Sequence, residues 1–199
     1  MTEHLVGIVS HLQAAITTQC TILVGVDGLG GAGKTVFSAA MAGSLRSAGL
    51  PAVVVHFDDF FLPSADRSIG TPDTKPIGGD FDWGRLRDDV LLPLRGNQIA
   101  RYRRYDWAQD ALAETHEIPP GGIVIVEGVY CTRRELADLY DVRVWVECPR
   151  DICLARGISR DGEGARSRWE LDWRPSEERY VREHVPTQAA HFVVRGVAA

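Results

Sequence analysis

Apolar residues follow two regimes along this chain: a helical spacing that leaves one face polar, and short unbroken runs rich in β-branched residues. Leu5, Ile8, Leu12 and Ile16 recur at three- to four-residue spacing, which predicts an amphipathic helix over 3–18 lying on one face of the domain. Residues 21–26 (TILVGV) then read as a strand. Gly28 to Gly33 interrupt regular structure, helix formers fill 34–48, and Gly49-Leu50-Pro51 stop them. Residues 52–57 (AVVVHF) form a second apolar strand. Strand, helix and strand make a βαβ unit, and runs apolar on both sides call for a parallel sheet covered on both faces.

Residues 62–79 are rich in Pro, Gly, Asp and Thr and have no period, so they read as a long functional or mobile loop. A helix is predicted over 85–94, ending near Gly96-Asn97, and 99–105 pairs with the segment around 115–118 as a small hairpin. Pro119-Pro120-Gly121-Gly122 introduce a third strand at 123–126, closing on Glu127-Gly128. A fourth strand (142–146) leads through Pro149 into a helix at about 150–159. A break at 161–165 (DGEGA), a helix at 175–184 and a last strand at 191–194 follow. With no repeat, low-complexity tract or linker, the 199 residues read as one domain.

Composition narrows the partners. The chain is 45% hydrophobic and 25% charged, ordinary for a globular protein, and its formal net charge of −5 argues against nucleic acid or an anionic membrane. Arginine is nonetheless dense at Arg101/Arg103/Arg104 and from Arg150 to Arg174, which suits a small anion such as a nucleotide. Cys20, Cys131, Cys148 and Cys153 show neither zinc-type spacing nor a disulfide framework, and read as reduced, mostly buried thiols. No leader pattern and no apolar stretch near 20 residues is present, so the expectation is a cytoplasmic protein.

Four motifs carry chemistry. Gly28-Leu29-Gly30-Gly31-Ala32-Gly33-Lys34-Thr35 matches G-x-x-x-x-G-K-[ST] between a predicted strand and a predicted helix. Its glycines let backbone N–H groups turn inward around phosphates, and the helix N-terminus adds positive potential. Lys34 is expected on the β- and γ-phosphates of ATP or GTP, and the Thr35 hydroxyl on Mg²⁺. The plain alternative is a glycine-rich turn with an accidental Lys-Thr, against which the strand-to-helix context counts. His56-Phe57-Asp58-Asp59-Phe60-Phe61 follows the second strand, on the edge where parallel sheets place ligands. A carboxylate there is placed to take the proton of an attacking hydroxyl; the competing reading is an Asp that caps the next turn. Glu127 closes an apolar strand in the arrangement that holds Mg²⁺ beside a phosphate loop. Arg156, Arg160, Arg166 and Arg168 surround Gly162 and Gly164 as a lid over about 156–172, with a solvated basic face as the alternative.

These motifs, in this order, resemble the uridine kinase-like family of P-loop small-molecule kinases, whose relatives include pantothenate kinase and phosphoribulokinase. The resemblance rests on VGVDGLGGAGKT, HFDDFF, FDWGRLRDDVLLPL, YRRYDW, IVIVEGVY and DVRVWVECPRDICLARGISRD. It implies an α/β fold with a five-stranded parallel sheet flanked by helices, an arginine-bearing lid and a small substrate-side hairpin. It also implies Asp58 as general base, Phe61 as the aromatic near the substrate, Glu127 near Mg²⁺, and Arg160 as a lid arginine, with Arg156 beside it on the nucleotide. Asp80 or Asp82 corresponds to the acid that grips sugar hydroxyls, and Tyr105-Asp106-Trp107 to a Tyr-Asp-Phe element. Three departures stand out: Gln109-Asp110 replaces the histidine of uridine kinases, Gly157 replaces a second lid arginine, and the Asn-Phe-Asp-His-Pro segment before Asp80 is missing.

The resulting expectation is an ATP- (or GTP-) and Mg²⁺-dependent kinase whose partner is a small-molecule hydroxyl acceptor, nucleoside-like in the first instance. A kinase of a non-nucleoside alcohol (a pantothenate-like acid, a sugar or an antibiotic) is the runner-up. A nucleotide-binding regulatory protein without transfer is the alternative from another class. A homo-oligomer is left open.

Overall fold

Hydrophobic runs long enough to be buried on both sides set the centre of the molecule. The computed structural model describes residues 2–16 and 21–196. Strands β1 (Thr21–Asp27), β2 (Ala52–His56), β5 (Gly122–Glu127), β6 (Val142–Glu147) and β7 (Phe192–Arg195) form a parallel sheet of order β2-β5-β1-β6-β7. The central β1 and β5 pair from Thr21–Gly122 to Val26–Glu127, which brings the ends of both strands to one edge. Strands β3 (Ala100–Asp106) and β4 (Ala111–Ile118) make the separate antiparallel hairpin, with a register shift between Arg103 and Tyr105.

Alternate residues of each strand feed two cores. Ile22, Val24, Val26, Ile123 and Ile125 pack with Ile8 and Leu12 of α1 (Thr2–Ala15) and Phe37, Met41 and Leu45 of α2 (Lys34–Ser47). Leu23, Val124 and Val126 face the other way, onto Leu86, Val90, Leu91, Tyr102 and Tyr180. The predicted helix at 85–94 is a run of three pieces, Trp83–Leu86, Arg87–Leu91 with a π turn, and Leu92–Arg95. The first predicted helix ends at Ala15, and residues 17 and 18 of that expectation, like Cys20, lie outside the described residues. Cys131, Cys148 and Cys153 are free thiols, the first and last buried. Among the described residues no helix is long and apolar enough to cross a membrane.

Sequence periodicity undercounted the helices after the lid break. The lid helix (Arg150–Asp161) is followed by Arg166–Arg168, the π turn Trp169–Trp173 and the C-terminal helix (Arg174–His184), so the break is confined to 162–165. Charged residues dominate 166–174, and of its three apolar residues, Trp169, Leu171 and Trp173, only Trp169 is buried, too sparse a pattern to register as a helical face. Short helices at Arg134–Ala137 and Pro186–Ala189 were likewise not expected.

Three segments meet on one buried carboxylate at the end of β1. Asp27 accepts from Gly28 N (2.7 Å), Tyr130 N (3.2 Å), Thr132 N (3.0 Å), Thr132 Oγ1 (2.8 Å) and Tyr180 Oη (2.7 Å). Burial pushes its pKa up, opposed by the bonds from Tyr180 and Thr132 and by the charge of Lys34. Replacing Asp27 by Ala would strand several buried donors. The expected cost is about 3 kcal/mol or more in denaturant unfolding, and a variant within about 0.5 kcal/mol of the parent would contradict this account.

Candidate active site

The phosphate loop occupies the turn between β1 and α2, at the sheet edge where β5 also ends. Lys34 is buried, and its ammonium donates to the carbonyls of Gly28 and Leu29 at 2.9 Å each, lying across the loop. Thr35 Oγ1 donates to Glu127 Oε1 at 3.0 Å. His56 Nδ1 lies 2.6 Å from the same oxygen, and this bond raises the imidazole pKa against the effect of its partial burial. Burial alone would raise Glu127, but the His56 bond and the charge of Lys34 outweigh it and hold the carboxyl below its ordinary value.

These groups line a cleft of about 810 Å³ that runs from the phosphate loop to the loop before the Trp83 helix. Asp58 sits in the 3₁₀ turn Phe57–Phe60 directly after β2 and opens into this cleft. Solvent reaches its side chain, yet protein surrounds it on most sides. That confinement and the nearby Glu127 raise its pKa, with Lys34, Arg160 and His56 acting in the opposite sense. The adjacent acid is turned elsewhere: Asp59 Oδ2 accepts from Tyr102 Oη of the hairpin at 3.0 Å. The two neighbouring aspartates are thus divided between cleft and scaffold.

The acceptor-side candidates separate in the same way. Phe61 and Asp80 line the cleft, with Lys75 3.4 Å from Asp80. Asp82 instead caps the helix that starts at Trp83, accepting from Arg85 N at 2.9 Å, and is not among the cleft-lining residues. Tyr105 is buried behind the wall: its ring packs on Phe61 (5.5 Å) and Trp107 (5.1 Å). Its hydroxyl donates to Asp110 at 2.6 Å and accepts from Arg67 at 2.9 Å. Asp110 also accepts from Arg67 at 3.0 Å and from both the backbone and the hydroxyl of Ser64, which hold its pKa down at about 2. Asp110 therefore staples the hairpin to the 62–79 loop. Phe61 and Trp107 stack at 4.5 Å, and Trp107 remains 53% exposed, presenting an aromatic surface at the cleft.

The lid arginines do not act alike. Arg156, Arg160 and Arg168 line the cleft, whereas Arg166 is engaged outside it by Glu163 (2.7 Å) and Glu170 (3.1 Å). Arg160 is held by Asp161 through two bonds of 2.7 and 3.1 Å, and Arg156 donates to Cys148 Sγ at 3.6 Å. Trp169 fills the space beside them. A Cβ at Gly157 would lie 2.5–2.8 Å from its ring, and one at Gly30 would lie 2.7–2.8 Å from it. Packing thus calls for glycine at position 157: the indole wedges between the lid helix and the phosphate loop. Its Nε1 donates to Asp161 at 2.9 Å.

Sequence reasoning gave no role to His56, Asp27, Trp169 or Glu177. Asp27 carried a signal, as a charged residue closing an apolar strand. Trp169 and Glu177 belong to no motif and reach the loop only through the packing of distant helices.

Among the described residues no three His, Cys, Asp or Glu side chains group to hold a metal alone. A Mg²⁺ shared with phosphates needs only one or two protein oxygens, and the Thr35 hydroxyl and Glu127 carboxylate fit that requirement.

A parallel sheet with a phosphate loop at its carboxyl edge and an arginine-bearing lid defines a P-loop kinase fold. The model of the phosphoribulokinase / uridine kinase family matches residues 23–168, and the chain belongs to that family. It is 32% identical over 147 residues to an inorganic pyrophosphatase of Arabidopsis thaliana, covering 70% of this chain and 20% of that protein. It is 25% identical over 179 residues to the uridine kinase of Saccharomyces cerevisiae, covering 80% of this chain and 34% of that enzyme. The chain thus spans about a fifth to a third of the length of these two relatives. The structure of a possible uridine kinase from Bacillus stearothermophilus superposes with a TM-score of 0.76 at 20% identity, covering 97% of this chain and 98% of that one, which shows the shared fold.

Gly157 offers a test of the wedge. An alanine in mid-helix ordinarily stabilises by up to about 1 kcal/mol, whereas overpacking costs about 1–3 kcal/mol. Gly157→Ala is expected to lower the unfolding midpoint; an unchanged or raised midpoint would show that Trp169 yields freely.

Proposed function

We propose that the protein transfers the γ-phosphate of ATP, or GTP, to a hydroxyl of a small metabolite, with a nucleoside as first choice. The observation that carries this reading is the position of Asp58. It lies in the same cleft as Lys34, Glu127 and Arg160, and its raised pKa brings it nearer the working range of a general base.

Phosphoryl transfer asks a protein chiefly for positioning and charge compensation. Backbone N–H groups of the phosphate loop other than those of Gly28 and Gly30, which Asp27 and Glu177 accept, bind the phosphates, and Lys34 moves its ammonium from the loop carbonyls onto phosphate oxygens. Arg156 and Arg160 add positive charge from the lid and exclude water. Asp58 orients the acceptor hydroxyl and takes its proton as the O–P bond forms. Thr35 and Glu127 would hold Mg²⁺, directly and through water, while His56 and Thr35 fix the Glu127 carboxylate. When bound, Mg²⁺ withdraws charge from the phosphoryl oxygens. Phe61, backed by Tyr105 and stacked on Trp107, forms the acceptor wall, and Asp80 is the acid placed to grip acceptor hydroxyls.

The staple at Asp110 favours the second reading, a non-nucleoside alcohol. The side chain in the place of the uridine kinase histidine is committed to Ser64, Tyr105 and Arg67, and so has little left to read a base edge. A pantothenate-like acid, a sugar or an antibiotic then becomes the acceptor class, with Lys75 available beside Asp80.

An ADP-release assay across nucleosides and other alcohols tests both readings. One acceptor class is expected to accelerate ADP release well above the rate without acceptor. Slow release indifferent to every acceptor would instead favour a regulatory nucleotide-binding protein. In Asp58→Asn, MgATP affinity is expected to stay near normal while transfer falls about 10²–10⁴-fold; retention of substantial transfer would remove Asp58 from the role of base.

A further inference from the structure

Glu177 is a carboxyl group where a polyanion is expected. It projects from the C-terminal helix, is buried, and accepts from Gly30 N of the phosphate loop at 3.1 Å through Oε2. Among the described residues this is its one hydrogen bond, and the side chain lines the cleft together with Gly31, Gly33 and Lys34. A buried carboxylate beside incoming phosphates would repel them strongly. A protonated one would not: its carbonyl oxygen keeps the Gly30 N–H while its O–H donates to a phosphate oxygen.

We propose that Glu177 is a phosphate-binding residue that takes up a proton when the nucleotide binds. The proposal rests on the reading that this cleft holds a nucleotide's phosphates. The surroundings already favour the neutral acid. Burial pushes the Glu177 pKa up to about 7, opposed by Lys34 and the Gly30 N–H, reinforced by Asp27 of β1, and opposed by Arg160 of the lid helix. Tyr130, from the segment after β5, and Cys153, from the lid helix, face it as neutral groups, their own pKa values raised by burial. Glu178 of the same helix is neutralised by Arg174 and Arg150, at 3.2 and 3.4 Å. Bound phosphate adds negative charge and raises the Glu177 pKa further. A group whose pKa is higher in the complex contributes affinity that is fully present below its free value and is lost as pH rises through its bound value. Nucleotide binding should therefore weaken as pH rises above 7.

Calorimetric titration with MgATP at pH 7.5–8, in buffers of different ionisation enthalpy, reads this directly. Binding is expected to take up about half a proton to one proton, and Glu177→Gln, which keeps an acceptor for Gly30 N, should abolish the uptake. In the parent, the MgATP Kd should weaken by up to about tenfold per pH unit between pH 7 and 8.5; this measurement stands whether or not the variant folds. MgATP binding with no proton uptake, with uptake unchanged in a folded Glu177→Gln, or with a Kd independent of pH would overturn the assignment while leaving the nucleotide site intact. Failure of MgATP to bind at all would overturn the site itself.

Discussion

Everything at the working edge of the sheet hangs on the Asp27 carboxylate. It closes β1, starts the phosphate loop through Gly28 N, and ties down the segment after β5 through Tyr130 N and the two donors of Thr132. The Tyr180 hydroxyl brings the C-terminal helix to the same oxygens. A buried acid with five donors is costly to desolvate and costly to disrupt, so the arrangement around it is narrowly defined. The loop geometry, the direction of the strand end that carries Glu127, and the seat of Glu177 one turn before Tyr180 all inherit that definition.

Around this anchor the candidate site divides into pairs of which one member faces the cleft and the other holds the scaffold. Asp58 opens into the cleft while Asp59 is tied to Tyr102, and Asp80 lines the cleft while Asp82 caps a helix. Phe61 forms the wall while Tyr105 supports it from behind. Arg160 lines the cleft while Arg166 is spent on surface carboxylates. Residue type alone cannot make these distinctions for the aspartates and arginines, because both members of each such pair have the same functional group. What decides is which side of a turn or strand the residue occupies.

That is also the boundary of what was legible in the sequence. Apolar runs identify all five parallel strands to within a residue or two. In the inner β1, β5 and β6, burial on both faces leaves an unambiguous composition, while the edge strands β2 and β7 keep their β-branched and aromatic residues although partly exposed. The phosphate loop is legible for a different reason: its function demands glycine at set positions within eight consecutive residues. Glu177 and Trp169 were invisible because they arrive at the loop from about 140 residues away, in a charged segment with no hydrophobic period. The helical run after the lid break escaped for the same cause, since its two indoles, Trp169 and Trp173, stand among charged residues and do not make a stripe. Gly157 was legible as a departure but not as an adaptation, because its explanation lies in a side chain twelve residues further on.

Residues 30, 157 and 169 form one steric unit. With the indole in place, neither glycine can acquire a side chain without a clash; with the indole removed, Gly157 is released and a void is left, while Gly30 still faces the Glu177 carboxyl. The three positions are in mutual contact, so the effect of a substitution at one depends on what stands at the others. An arginine at position 157 is compatible with this lid only where the residue at 169 is smaller than tryptophan.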